Sequence, residues 1–161
     1  MKEEVSIEDV VRNKAEAYCA SVEHCVSEVA AKLSLWGATS VVSEKVIAHL
    51  LKDKFIDEQR YAIAFVRDKY RFNGWGRIKI SMYLKRKGIS DKLINRGLDE
   101  IDETEYARNL KKLLQQKRRS ITAETDYERN GRLIKFALSR GYEMEEILRL
   151  IKHPEADDYM G

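Results

Sequence analysis

Apolar residues recur at steps of three and four through nearly the whole 161-residue chain, the period of a helix face rather than of a strand. The clearest run is Asp57–Phe72, where Tyr61, Ala62, Phe65, Val66 and Phe72 form one apolar face behind Asp57, a suitable N-cap. Three amphipathic runs stop at glycine: KLSLWG at Gly37, YLKRKG at Gly88 and FALSRG at Gly141. Glycine just past the last periodic residue accepts left-handed backbone without a Cβ clash, so it ends a helix. Lys85, Arg86 and Lys87 ahead of Gly88 complement the negative end of the helix dipole. Ser90-Asp91 then offers the cap of a further helix ending near Leu98. The pattern predicts helices near residues 7–20, 22–36, 41–53, 57–72, 75–87, 91–100, 104–118, 124–140 and 143–152. The fold class is all-α.

The same elements are written three times in order. Tyr18-Cys19-Ala20, Tyr61-Ala62 and Tyr106-Ala107 each precede one of the glycine stops, and Ile47, Ile94 and Ile147 follow them in comparable places. Tyrosine and glycine are 19, 27 and 35 residues apart, so the register drifts. This layout reads as tandem three-helix repeats over residues 1–56, 57–102 and 103–153, followed by a tail at 154–161. One such unit buries little alone, and units that share faces are the stable form.

Composition narrows the function. Hydrophobic residues make up 43% and charged residues 35%, with one proline, which suits a helical protein with a large solvated surface. No segment nears the roughly 18 apolar residues of a membrane span, and the acidic, amphipathic start MKEEVSIEDVVRNK is not a secretory signal. Cys19 and Cys25 form no CxxC and read as small buried residues of a cytoplasmic protein rather than a disulfide. His24, His49 and His153 fall on different predicted helices, and no P-loop, HExxH or nucleophile–base set is present. The expectation is a protein that is not an enzyme and needs no metal or cofactor.

Net charge is +3, unevenly spread. Residues 57–102 carry 11 basic against 7 acidic side chains, whereas residues 1–56 carry 7 against 9. Arg60, Arg67 and Arg71, with Ala64 between, fall on one strip of the 57–72 helix. That strip is either a solvated face paired locally with Asp57, Glu58 and Asp68, or a surface for an acidic partner. Asn73-Gly74-Trp75-Gly76 then breaks the helical pattern: Gly74 ends one helix and Gly76 lets the next begin close by. Trp75 either wedges the two helices together or touches a ligand. Beyond it Ile78 and Met82 lie on one side and Ile80, Tyr83 and Leu84 on another. Arg77, Ser81 and Lys85 form one polar strip, and Lys79 with Arg86 a second. Gln115–Ser120, QQKRRS, either extends the charge or is a helix end running into a polar loop. Such basic helices with interleaved aromatics suit a phosphate backbone or an acidic protein groove, although no known base-reading motif is present.

DEQRYAIAFVRDKYRFNGWGRIKISMYLKRKGI, from Asp57 to Ile89, resembles the central signature of the bacterial RecX regulatory proteins, which modulate the RecA recombinase. The match rests on Asp57, Glu58, Arg60, Tyr61, Ala62, Phe65, Val66, Arg67, Gly74, Trp75, Gly76, Ile80, Leu84, Lys87 and Gly88. It is specific over residues 57–90 and looser elsewhere, where the repeat layout and Arg140-Gly141-Tyr142 support it. Arg77 departs from the pattern, since many members have proline after the second glycine. The resemblance implies a non-enzymatic regulator built of tandem three-helix repeats, about nine helices in an elongated, curved array. It implies binding in the groove of RecA filaments on DNA and, most often, inhibition of RecA ATPase, strand exchange and coprotease activity in recombination and SOS repair. The partner is then RecA, with single- or double-stranded DNA as a further partner, and a monomer is expected. Candidate contacts to filament or DNA are Arg60, Arg67, Lys69, Arg71, Arg77, Lys79, Lys85, Arg86 and Lys87. Asp57, Tyr61, Phe65, Gly74, Trp75, Gly76, Ile80, Leu84 and Gly88 form the structural signature. A nucleic-acid-binding helical module acting without RecA is the alternative.

Overall fold

The computed structural model describes residues 6–151, which form nine helices and no strand. These are α1 (Ile7–Ser21), α2 (Val26–Leu35), α3 (Ser40–Lys52), α4 (Glu58–Phe72), α5 (Arg77–Arg86), α6 (Asp91–Leu98), α7 (Glu103–Ser120), α8 (Asp126–Ser139) and α9 (Met144–Leu150). The tail read at 154–161, His153 and the end of the predicted 143–152 helix lie outside the described residues.

The three glycine stops share one geometry. Gly37, Gly88 and Gly141 have φ of +88°, +83° and +91°. In each case the glycine N–H donates three residues back, and the next N–H reaches five residues back: Ala38 to Leu33, Ile89 to Leu84, Tyr142 to Ala137. These are the paired bonds of a Schellman cap, which satisfy carbonyls that the helix end leaves open. Two residues later Thr39, Ser90 and Glu143 precede α3, α6 and α9, and the Thr39 and Ser90 hydroxyls accept N–H groups of the first turn.

Packing groups the chain into two units: the described residues of Met1–Ala64 with Leu84–Arg96, and those of Phe65–Tyr83 with Gly97–Gly161. In the first, Val11, Ala15, Cys19, Val29, Leu33, Val46, Leu50 and Ile56 form the core of α1–α3. Cys19 and Cys25 are both free and buried. In the second, Tyr106, Leu110, Leu114, Leu133, Ile134, Ala137 and Ile147 are buried along α7–α9. A buried leucine of this kind contributes about 1.5–3 kcal/mol relative to an exposed one.

Three expectations are corrected. Helix α2 starts at Val26 rather than near residue 22, because Val22 and Cys25 are extended and the Cys25 N–H is held by Glu28 Oε1 at 3.3 Å. Tyr18 is not the counterpart of Tyr61 and Tyr106. Those two sit in the first turn of α4 and α7, whereas Tyr18 sits late in α1, stacked on His24 at 3.7 Å with Trp36 at its edge. Ile47 is only half-buried; Val46 takes the core position in α3.

Candidate functional site

The central basic segment falls in both units, so its residues are described within each. In the unit holding Phe65–Tyr83, α4 buries Val66 and Tyr70, while Phe72, expected on the apolar face, is 82% exposed. Phe72 lies two residues past Tyr70 on the last turn, off the i, i+4 line through Val66 and Tyr70 that points inward. Gly74 then takes φ +67°, and the Trp75 N–H returns to the Lys69 carbonyl at 3.1 Å, closing α4.

Gly76 has a different task from the one its place in the sequence suggested. Its N–H donates to the Arg140 carbonyl at 2.8 Å, and the Ile78 N–H donates to the Gly141 carbonyl at 3.0 Å. The open N–H groups of the α5 start are therefore satisfied by the turn that ends α8. A Cβ on Gly76 would collide with the Gly141–Tyr142 backbone, and a Cβ on Gly141 would collide with Lys79. A glycine just before α5 and another just after α8 let backbone meet backbone. The sequence signal for this contact is Arg140-Gly141-Tyr142, which by itself does not point to Gly76 as its partner.

Trp75 is half-buried. Phe65 meets it edge-on at 6.3 Å, and Tyr83 lies against it at 4.7 Å. The Lys69 and Lys79 ammonium groups sit 4.9 and 4.4 Å from its ring centroid. Each such contact contributes about 0.5–1 kcal/mol at an exposed site. Trp75 therefore wedges the corner, as the first reading of its role has it, and also fixes two cations beside it. Arg67 is exposed on the same helix as Lys69.

Arg71 and Arg77 are committed within the unit. Arg71 donates from Nε and Nη2 to Glu105 at 2.9 and 3.3 Å, and the Tyr70 hydroxyl donates to the same carboxylate at 3.2 Å. The Arg71 guanidinium first, with help from the Tyr70 hydroxyl, holds Glu105 below the usual carboxylate range, against an opposing effect of burial that ranks between the two. Arg77 lies 4.0 Å over the Tyr106 ring and reaches Glu143 at 2.6 Å and Glu103 at 2.5 Å. Its backbone N–H donates to the Tyr106 hydroxyl at 3.0 Å, and that hydroxyl donates to Glu143 at 2.5 Å. Burial first, and then the Glu143 carboxylate, push the Tyr106 hydroxyl above its ordinary pKa. Proline at position 77 has no N–H for this knot, so the departure from the signature has a structural use.

In the other unit Arg60 pairs with Glu23 at 2.6 Å and donates to the Lys54 carbonyl at 3.0 Å, where Lys54 takes φ +64°. The acid of Arg60 thus comes from the connection between α1 and α2 and that of Arg71 from α7, not from Asp57, Glu58 and Asp68. Asp57 instead caps α4 through the Arg60 N–H, and Glu58 accepts the Val26 N–H at the start of α2. Lys87 pairs with Glu28 at 3.3 Å, Lys85 with Asp91 at 3.6 Å, and Arg86 is exposed. Glu23, Glu103, Glu105 and Glu143 were not singled out in the sequence, where their partners lie 26 to 66 residues away.

Two family models match the chain: "RecX, second three-helix domain" over residues 57–98 and "RecX, third three-helix domain" over 103–151. A "Regulatory protein RecX" of Clostridium botulinum is 31% identical over 149 residues, covering 89% of this chain and 69% of that protein. The chain belongs to the RecX family. A "Regulatory protein RecX" of Chlorobaculum tepidum is 30% identical over 129 residues, covering 80% of this chain and 78% of that protein. The crystal structure of RecX from Lactobacillus salivarius has the same fold, with a TM-score of 0.80 at 19% identity over 94% of this chain and 97% of that one. RecX proteins are regulatory proteins rather than enzymes. Among the described residues no helix is long and apolar enough to cross a membrane.

Proposed function

We infer that this RecX protein binds the RecA filament on DNA, in its helical groove, and restrains RecA ATPase, strand exchange and coprotease activity in recombination and SOS repair. Membership of the RecX family carries this reading. The surface around Trp75 supports it physically: Lys69 and Lys79 are fixed against the ring, and Arg67 is a further exposed cation of α4. Preplaced cations of this kind suit acidic groove walls or nearby phosphates and make binding sensitive to salt. The three-helix repeats over 1–56, 57–102 and 103–153 are the recognition units of this reading. The compartment is the cytoplasm, where the filament forms, and the protein acts as a monomer. Arg67, Lys69 and Lys79 rank first among the contacts. Arg60, Arg71, Arg77 and Lys87 already hold acids at 3.3 Å or less and come second.

The test is RecA DNA-dependent ATPase and strand exchange with this protein added below stoichiometry, alongside binding to preformed filaments. Slowed turnover and co-sedimentation with filaments are expected. No binding and no change in either activity at any ratio rejects the reading. The excess of 11 basic over 7 acidic side chains in residues 57–102 favours a second reading, a nucleic-acid-binding module independent of RecA. Equal affinity for naked DNA and for filaments, with a steep salt slope, would select it.

A further inference from the structure

In the unit that holds Trp75, the end of α4 and one side of α7 enclose an open groove of about 290 Å³. Asn73, Asn109 and Gln116 bring three side-chain amides to it, Lys112 an ammonium, and Phe72 an aromatic ring. Phe72 is 82% exposed, a large solvent cost for a ring that the core does not need. Asn109 donates its amide N–H to the Tyr70 carbonyl at 3.4 Å, which holds its side chain in place. Arg71, also lining the groove, keeps its Nε and Nη2 on Glu105, so Lys112 is the main source of positive charge there. Among the described residues no carboxylate lines the groove.

We propose that this groove binds one unstacked base of a single-stranded nucleic acid, with the base against Phe72, its edge on the amides and the adjoining phosphate on Lys112. Amides both donate and accept, which matches the mixed edges of bases, whereas an acidic protein segment would call for more cations than this groove offers. A duplex hides its base faces and has no use for the Phe72 ring. The proposal rests on the second reading, nucleic-acid binding by this chain, and not on the filament; loss of all binding overturns both, whereas binding without a preference over the abasic strand overturns this groove alone.

The experiment is fluorescence anisotropy of the full chain with a labelled single strand of about 12 nucleotides, an abasic strand of equal length, and the matching duplex. The normal strand is expected to bind at least about fivefold tighter than the abasic one, the equivalent of one stacked base. Phe72→Ala removes that preference and Phe72→Trp keeps it. Lys112→Ala weakens both strands equally and lowers the salt slope by about 0.7. Phe72 and Lys112 are both exposed, so circular dichroism and the melting temperature should be unchanged in these variants. Equal binding of the abasic strand, indifference to Phe72→Ala, preference for the duplex, or no binding would each overturn the proposal. Filament co-sedimentation of the same variants is read separately, so that failure of one idea is not taken for failure of the other.

Discussion

Gly37 and Gly141 end equivalent helices with nearly the same φ, +88° and +91°, yet their surroundings differ. A Cβ on Gly37 meets open space, whereas one on Gly141 strikes the Lys79 backbone. Gly37→Ala should therefore cost about 1–2 kcal/mol, the strain of left-handed backbone alone. Gly141→Ala should cost more than about 3 kcal/mol, because the strain is joined by a clash that neither backbone can relieve. Urea denaturation with matched m-values checks this, and equal losses would refute the close-approach role. Tyr106 is the second residue whose value lies in its partners. Tyr106→Phe leaves the Arg77 N–H and one Glu143 oxygen without their bonds, so a loss of about 1–3 kcal/mol is expected on the same assay. Tyr142, beside it, has a buried hydroxyl with no partner among the described residues, and burial first pushes its pKa up to about 12. Removing that hydroxyl in Tyr142→Phe should cost little or stabilise, the opposite outcome from a ring of identical chemistry 5.1 Å away.

At the scale of the elements, the helices were legible because apolar spacing, capping residues and glycine stops agree locally. The start of α2 was not legible, because cysteine is an unusual residue before a helix and its fixing bonds come from afar. Glu58 accepts the Val26 N–H, and Ser27 donates to the Lys87 carbonyl at 2.6 Å. Glu28 is the centre of this helix start. Burial alone would raise its pKa, but the Cys25 N–H, His24 and Lys87 outweigh that and hold the carboxylate below the usual range. A carboxylate lowered by folding stabilises above its unfolded value, about 4.3, and loses that contribution as pH falls through the lower folded value. The native chain should thus be more stable than Glu28→Gln at neutral pH, and the gap should close as pH drops below about 4. Melting temperatures of the two proteins across that range decide it; a gap that does not change with pH removes Glu28 from this role.

For the molecule as a whole, counting charges showed where the basic surplus lies but not which cations are available. Arg60, Arg71 and Arg77 looked equivalent to Arg67 in the sequence, because Glu23, Glu105, Glu103 and Glu143 reach them only through the fold. The signature segment was legible because Gly-Trp-Gly within a basic helical run is unusual. Its meaning as a backbone contact was not, because that needs Gly141, 65 residues beyond Gly76, in place. The pairing yields an unequal ranking that can be tested against function. Lys69→Gln with Lys79→Gln removes two charges and keeps the stems that cover Trp75. Filament affinity should fall at least about tenfold, about 1.4 kcal/mol, with a shallower salt dependence. Arg71→Gln breaks a surface ion pair with Glu105 and leaves that carboxylate to the Tyr70 hydroxyl alone, so stability should fall slightly, with filament affinity changed less than threefold, about 0.65 kcal/mol. The paired measurement is melting temperature with filament affinity at two salt concentrations for each variant. If Arg71→Gln weakens the filament complex as much as the Lys69/Lys79 double change while its melting temperature is unaltered, intramolecular pairing does not decide which cations reach the partner.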